Sequence, residues 1–433
     1  MTVTRRQFLI GTGLAAAGTT IGLTGCAPGS SKSGGGSSGG SNSLAVAWWS
    51  NPTRTKNTNA ALAAYGKSHP NLKITGQPGE FGTYWDKLAT QVAGNSAPDV
   101  IQMDVAYISE YGGRGALLDL EKYGADVSKF AEGTVDSGKV GGKLVGVNLG
   151  VNTPTLTTNP KVFEKANMAV PDDTTWTWDS LMQIAAEVAA KSKGTGLAEF
   201  FNADFVLAAY LRQKGKATFT DTGLGFTADD VVPFFDLMVK FQKAGAIPSP
   251  SQISEEANKP IEQKALATGK AAMMASNSNQ LEALDDASGA SLKLLRLPSM
   301  TGKATDRKAY YKASMLWSAS SRTKDPKAAV ELINWWVNST ECANINLAER
   351  GIPCNTDILA EVTPKLSPPQ QSVAKFIADI KPEVSGPLPN PPKGGGKLGM
   401  VLLRYETDVQ FGRSSSKDAA TKFVDEMKSN LGS

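Results

Sequence analysis

Apolar positions along the chain fall into two alternating rhythms. Leu44-Ala45-Val46-Ala47-Trp48-Trp49 is a short, unbroken apolar run and predicts a first strand. Residues 57–68 carry helical spacing, which His69-Pro70-Asn71 ends. Leu72-Lys73-Ile74 alternates as a strand does. Tyr84 to Ala93 is amphipathic, with Trp85, Leu88 and Val92 on one face and a break at Gly94-Asn95. A further strand is predicted over Asp99 to Asp104, bounded by Pro98. Strand, helix, strand, helix in this order predicts an α/β lobe on a largely parallel sheet.

The pattern then shifts. Gly141-Gly142-Lys143-Leu144-Val145-Gly146-Val147 predicts a turn and strand leading to Asn152-Thr153. Beyond it the spacing is mostly helical: Thr177 caps a helix from Trp178, and others are predicted near 203–213, 228–244 and 258–269. Ala271-Ala272-Met273-Met274-Ala275 predicts a short buried strand. Helices follow near 326–338, 340–349, 369–379 and 417–430, and Pro387 to Gly396 predicts a long surface loop. A chain of 433 residues is too long for one core and suits two packed lobes.

The N-terminus follows neither rhythm. Thr4-Arg5-Arg6-Gln7-Phe8-Leu9 resembles a twin-arginine export signal, and Leu23-Thr24-Gly25-Cys26 resembles a bacterial lipobox. Together they predict a leader over 1–25, cleavage before Cys26 and lipid on its sulfur. Two or more acyl chains hold a protein stably at a membrane. Residues 26–43 are rich in Gly and Ser and predict a flexible tether, with the folded part opening at Leu44. The expected location is the outer face of the cell membrane.

Composition adds limits. Losing Arg5 and Arg6 with the leader lowers the net charge from +4 to +2, which gives no reason to expect a nucleic-acid partner. Cys342 and Cys354 are twelve residues apart, a spacing that admits either a disulfide worth roughly 3 kcal/mol or two buried thiols. His69 is the only histidine, so no common zinc site and no nucleophilic triad is expected. Gly133 to Lys139 approaches a phosphate loop, but Val140 stands where Ser or Thr is needed. No cofactor and no enzymatic activity are expected. A two-carboxylate glycosidase stays open as an alternative.

Several stretches in succession carry a resemblance. They include Trp48-Trp49-Ser50-Asn51, Tyr84-Trp85-Asp86-Lys87-Leu88 and Ala97-Pro98-Asp99-Val100-Ile101-Gln102-Met103-Asp104. Asn159-Pro160-Lys161-Val162-Phe163, Thr177-Trp178-Asp179-Ser180-Leu181, Ala267-Thr268-Gly269-Lys270-Ala271-Ala272-Met273 and Gly351-Ile352-Pro353 continue the series. From Leu44 to about Leu431 the chain resembles the family-1 extracellular solute-binding proteins of ABC importers, the group of maltose- and oligosaccharide-binding proteins. The resemblance implies a two-lobed periplasmic-binding-protein-like fold of type II with a hinge of three crossings. It divides the chain into 44–152 with 314–357 as one lobe and 153–313 with 358–433 as the other. It also implies a sugar ligand, ABC permease subunits as partners and a monomer. A polyol, glycerol phosphate or peptide ligand remains an alternative on the same fold.

A sugar needs rings to lie against its C–H faces and polar arms for its hydroxyls. In open α/β folds these gather at the C-terminal ends of strands. Trp49 ends the first strand and Asn51 follows it, Tyr84 opens a helix, and Asp104 ends an apolar strand where a carboxylate is costly to bury. Capping the next helix is the other role open to Asp104. The resemblance implies that Asn152 stands at a ligand-contacting glutamate of maltose-binding relatives. It places Asn277 in a cleft loop, with Asn279 where relatives carry a stacking tryptophan. Trp317 is the replacement platform expected from this sequence, with a buried role as its alternative. Arg350 and Arg404 complete the expected ligand set, Arg404 matching a cleft-facing arginine of relatives.

Overall fold

The computed structural model describes residues 43–220, 223–257 and 259–432. The expected leader, the lipid-bearing Cys26 and the tether up to residue 42 lie outside the described residues. The first lobe opens with β1 (Ser43–Trp49), α1 (Pro52–Ser68), β2 (Lys73–Gly79), α2 (Phe81–Ala93), β3 (Val100–Met103) and α3 (Val105–Gly113). A hairpin, β4 (Lys139–Val140) with β5 (Lys143–Leu144), leads to β6 (Val147–Asn148) and β7 (Val151–Asn152).

The second lobe begins with β8 (Pro154–Thr158), α4 (Pro160–Lys165), α5 (Trp178–Ser192) and β9 (Thr195–Ala198). It continues through α6 (Asp204–Gln213), α7 (Ala228–Lys243), α8 (Pro250–Ala257), β10 (Ala271–Asn277), α9 (Leu281–Ser288) and β11 (Lys293–Leu295). The chain returns through β12 (Lys312–Ala313) to β13 (Leu316–Ala319), α10 (Pro326–Asn338) and α11 (Thr340–Asn346). It ends with α12 (Thr356–Val362), α13 (Pro368–Asp379), α14 (Leu398–Gln410) and α15 (Ser416–Gly432).

Each lobe is built on its own sheet. In the first, the strand order is β2-β1-β3-β13-β6. β1 runs parallel to β2 and β3, whereas β13 is antiparallel to β3 and β6. The second sheet, β11-β8-β10-β9, pairs β8 antiparallel with both β11 and β10, and only β9 and β10 run parallel. Both sheets are therefore mixed rather than mainly parallel. The strands that break the parallel pattern, β8 and β13, are those the chain enters directly after passing between the sheets.

Trp48 and Trp49 point to opposite sides of β1, as a strand's period of two requires. Trp48 is fully buried and lies over Gly76 of β2, where a Cβ would come within 2.7 Å of its ring. The second core is aromatic-rich, with Phe163, Trp178, Phe200, Phe234 and Phe241 packed under Leu402 of α14 and Phe423 of α15. A third cluster joins Leu266, Met274 and Leu284 to Ile352, Ile358 and Val362.

Three passages of chain meet between the sheets. β7 pairs with β12 through Asn152 opposite Lys312 and Val151 opposite Ala313. Val151 also exchanges backbone hydrogen bonds with Ile352, at 2.7 and 3.0 Å. Gly150 is squeezed there: a Cβ would stand 2.3 Å from the Arg350 carbonyl oxygen.

The helix expected over 258–269 is absent from the described residues in that range. α8 stops at Ala257, and only a 3-10 turn, Ile261–Gln263, follows Pro260. The Ala265 and Leu266 carbonyls are used elsewhere. They accept from Lys270 (2.8 Å) and Gly269 (3.2 Å), and Leu266 also accepts from the Asn159 side chain. Tertiary demand overrode a helical pattern.

Cys342 and Cys354 are free and buried, so the bridged alternative is not adopted. Each thiol has its own neighbour, Asn346 at 3.2 Å from the Cys342 sulfur and Thr134 beside Cys354. Burial pushes both thiols up to about 12. Neither should react with a maleimide in the native protein at neutral pH, because the thiolate is the nucleophile. Peptide mass mapping should find both labelled only after denaturation. The linkage has a definite sign: unfolded thiols ionise near 9.0, native ones near 12, so their effect is nil below that window and lowers stability across it.

Candidate functional site

The loop after β1 is made by its own capping chemistry. The Asn51 side chain accepts from the Arg54 backbone N–H at 2.7 Å and Pro52 takes the first helical position, so α1 starts five residues earlier than its apolar spacing predicts. This holds Trp49, Asn51 and Arg54 at the C-terminal end of β1. They line a cavity of about 1080 Å³ between the two sheets. Phe81, Asp104 and Glu349 face it from the same lobe, and Glu262, Asn277, Asn279, Glu282 and Asp286 from the other. Asn152, Lys312 and Ser314, where the chain passes between the lobes, form part of its lining.

An aromatic group stands on the first-lobe wall. Trp49 meets Phe81 and Tyr84 edge-on, with centroids 5.7 and 5.6 Å away, and is tilted against Trp85 at 5.6 Å. Trp85 in turn stacks on Tyr107 at 4.0 Å. Trp49 is 7% exposed, while Phe81, also in the lining, is 51% exposed. Phe81 escaped the sequence reading because the helix was expected to open at Tyr84. A large apolar residue directly after Gly79-Glu80 was the available signal.

The Trp49 carbonyl is held by two side chains, Arg54 and Gln102, each donating at 3.4 Å. Behind it lies Arg350, 3% exposed. Its guanidinium donates to Gln102 Oε1 (3.2 Å), Asn346 Oδ1 (3.2 Å), Glu349 Oε2 (3.2 Å) and Thr58 Oγ1 (2.7 Å). It also sits over the rings of Trp317 and Trp336, at 5.7 and 5.1 Å. Burial pulls its pKa down to about 10. Glu349 carries the chain of contacts back to the cavity through Arg54, at 2.9 Å.

The expected ligand set thus separates. Trp49, Asn51, Asp104, Asn152 and Asn277 come together on one cavity. Asp104 also caps α3, accepting from Ala106 N–H at 2.9 Å, while it lines the cavity. Asn152 is 3% exposed; its amide donates to Asn279 Oδ1 at 3.0 Å, and its own Oδ1 has no partner among the described residues.

Four expected contacts lie elsewhere. Tyr84 is buried and its hydroxyl donates to the Gln102 carbonyl at 2.8 Å, which fixes the ring in the core. Trp317 is 1% exposed because β13 is an interior strand, and its ring meets Trp336 edge-on. Arg350 is enclosed by the partners just named. Arg404 is exposed, pairs with Glu426 and lies over the Tyr405 ring. It falls on the side of α14 opposite Leu398, Val401 and Leu402, the residues the helix buries.

A smaller cavity of about 110 Å³ shares Asp104 and Lys312 with the first and is lined by Phe205, Phe219 and Tyr310. The segment Pro387–Pro391 covers it. Asn390 ties that cover across to the first lobe, donating to the Ser137 and Lys139 carbonyls at 3.0 and 3.2 Å. The stretch read as a surface loop is one, and Asn390 makes it bridge to the first lobe.

The chain belongs to the bacterial extracellular solute-binding proteins, whose family model matches residues 60–371. Among similar solved structures is a periplasmic oligogalacturonide-binding protein from Yersinia enterocolitica in complex with saturated digalacturonic acid. It is 19% identical, covers 90% of this chain and 98% of its own, and has a TM-score of 0.79. An ABC substrate-binding protein from Listeria monocytogenes in complex with cycloalternan is 20% identical, covers 90% and 99%, and has a TM-score of 0.75. The GacH receptor of Streptomyces glaucescens, solved with and without acarbose, is 20% identical, covers 90% and 98%, and has a TM-score of 0.72. At these identities the likeness is one of fold, the two-lobed periplasmic solute-binding architecture.

Proposed function

We propose that this member of the extracellular solute-binding family captures a mono- or oligosaccharide in its interlobe cavity and delivers it to the permease of an ABC importer. One observation carries the reading: a cavity of about 1080 Å³ whose wall combines the rings of Trp49 and Phe81 with the amides of Asn51, Asn152, Asn277, Asn279 and Gln280. Flat rings and planar donor–acceptor groups are the two partners a pyranose needs. The ligands in the three structures of like fold, all saccharides or saccharide mimics, support the same class.

In this reading the lobes, 44–152 with 314–357 and 153–313 with 358–433, close about the junction of β7, β12 and the Gly351 segment, and the permease recognises the closed form. Export by the twin-arginine leader and lipid on Cys26 place the monomer on the outer face of the membrane. Isothermal titration of the mature protein against neutral mono- and oligosaccharides is the test. Saturable binding at one site per chain, with the sugar recovered unchanged, is the expected result; turnover or no binding across the panel would remove the proposal.

A further inference from the structure

We infer that the interlobe cavity is a charge filter that selects against acidic saccharides and accepts neutral or amino-bearing ones. This rests on the saccharide reading above and narrows it.

Five carboxylates line the cavity, Asp104, Glu262, Glu282, Asp286 and Glu349, against two cations, Arg54 and Lys312. Pairing leaves the second-lobe wall, with Glu262, Glu282 and Asp286, as the acidic one. Arg54 is committed to Glu349 at 2.9 Å, and Glu349 receives a second guanidinium from Arg350. Lys312 is then the one lining cation not already paired among the described residues. Glu282 accepts from Ser367 (2.7 Å) and Gln370 (2.9 Å), neutral donors that leave its charge in place. Glu262 and Asp286 are exposed to the cavity and have no hydrogen-bond or ion-pair partner among the described residues. Three of the carboxylates stand on one wall, so an anion entering there meets like charge within one cavity width.

A second observation points the same way. Asn152 lines the cavity, and its buried Oδ1 has no donor among the described residues. An acceptor left dry is costly, and a ligand that fills it must bring an O–H or N–H. A hydroxyl or an ammonium does so; a carboxylate, sulfate or phosphate oxygen cannot. The carboxylates of the opposite wall likewise accept and do not donate. Apart from Lys312, the Thr53 hydroxyl and the amide N–H groups, the free polar groups of the lining among the described residues ask the ligand for hydrogen atoms.

The test titrates the mature protein by calorimetry with maltotetraose and cellotetraose as neutral probes, the β-1,4-glucosamine tetramer at a pH where it is protonated, and tetragalacturonic acid. The tightest binder should be neutral or cationic, with the acidic tetramer at least tenfold weaker. Added salt should narrow that gap, since screening weakens repulsion. The double variant Glu262→Gln with Asp286→Asn should narrow it too, and both positions are exposed enough for the fold to tolerate the change. Tetragalacturonic acid binding as tightly as the best neutral or cationic probe would overturn the filter while leaving the saccharide reading intact. Failure of every probe, whatever its charge, together with an empty neutral panel, would instead remove the saccharide reading and the filter with it.

Discussion

Arg350→Met should lower the stability of the protein by about 3–5 kcal/mol, the range for breaking a buried charged network from one side. The side chain is 3% exposed and serves four acceptors. Methionine matches its volume roughly but donates nothing. Gln102 Oε1 and Asn346 Oδ1 would then be buried acceptors without donors, each costing about 1–3 kcal/mol. Glu349 would keep Arg54. Lysine should not rescue the loss, because a single ammonium cannot reach acceptors arranged around a planar fork and above two indoles. Urea denaturation followed by tryptophan fluorescence measures the effect directly; an unchanged midpoint for Arg350→Met would show that the network is dispensable. Affinity for the proposed saccharide should fall as well, since Arg350 orients Gln102, which donates to the Trp49 carbonyl.

Trp49→Ala should weaken saccharide binding by at least tenfold, about 1.4 kcal/mol. The ring ends the parallel strand β1, faces the cavity and is braced by Phe81, Tyr84 and Trp85. Because it is largely buried, its removal should also cost about 3–5 kcal/mol of stability. Phe81→Ala separates the two effects. That ring is 51% exposed, so its loss should change stability by no more than about 0.5 kcal/mol while reducing affinity several-fold. Calorimetry on the sugar that wild type binds decides it. Wild-type affinity in both variants would remove the aromatic wall from the proposed site.

The two arginines show why parts of the site escaped a linear reading. Arg350 precedes the Gly351-Ile352-Pro353 loop and reads like a solvated or ligand-binding residue. Its burial depends on Gln102, Thr58 and two tryptophans that lie up to 292 positions away. Arg404 sits on a helix whose cleft-facing side was inferred by likeness. The apolar positions of that same helix, Leu398, Val401 and Leu402, turn it outward. Phe81 was hidden by a boundary error of three residues at the start of α2. α2 opens without a side-chain cap from Glu80, so no capping residue marked its start.

What the residues determine unaided is local. The two tryptophans of β1 diverge because successive side chains on a strand point apart. Asn51 and Asp104 cap helices because short acceptors after a strand satisfy N–H groups that a helix leaves unpaired. The order of strands and helices likewise announces an α/β protein of two lobes. Only the tertiary structure decides which polar residues face the gap and which are enclosed. It also decides that the thiols stay apart and that the sheets are mixed. The physical reason is that exposure and charge pairing depend on distances between segments hundreds of positions apart, whereas capping and alternation depend on neighbours within one turn.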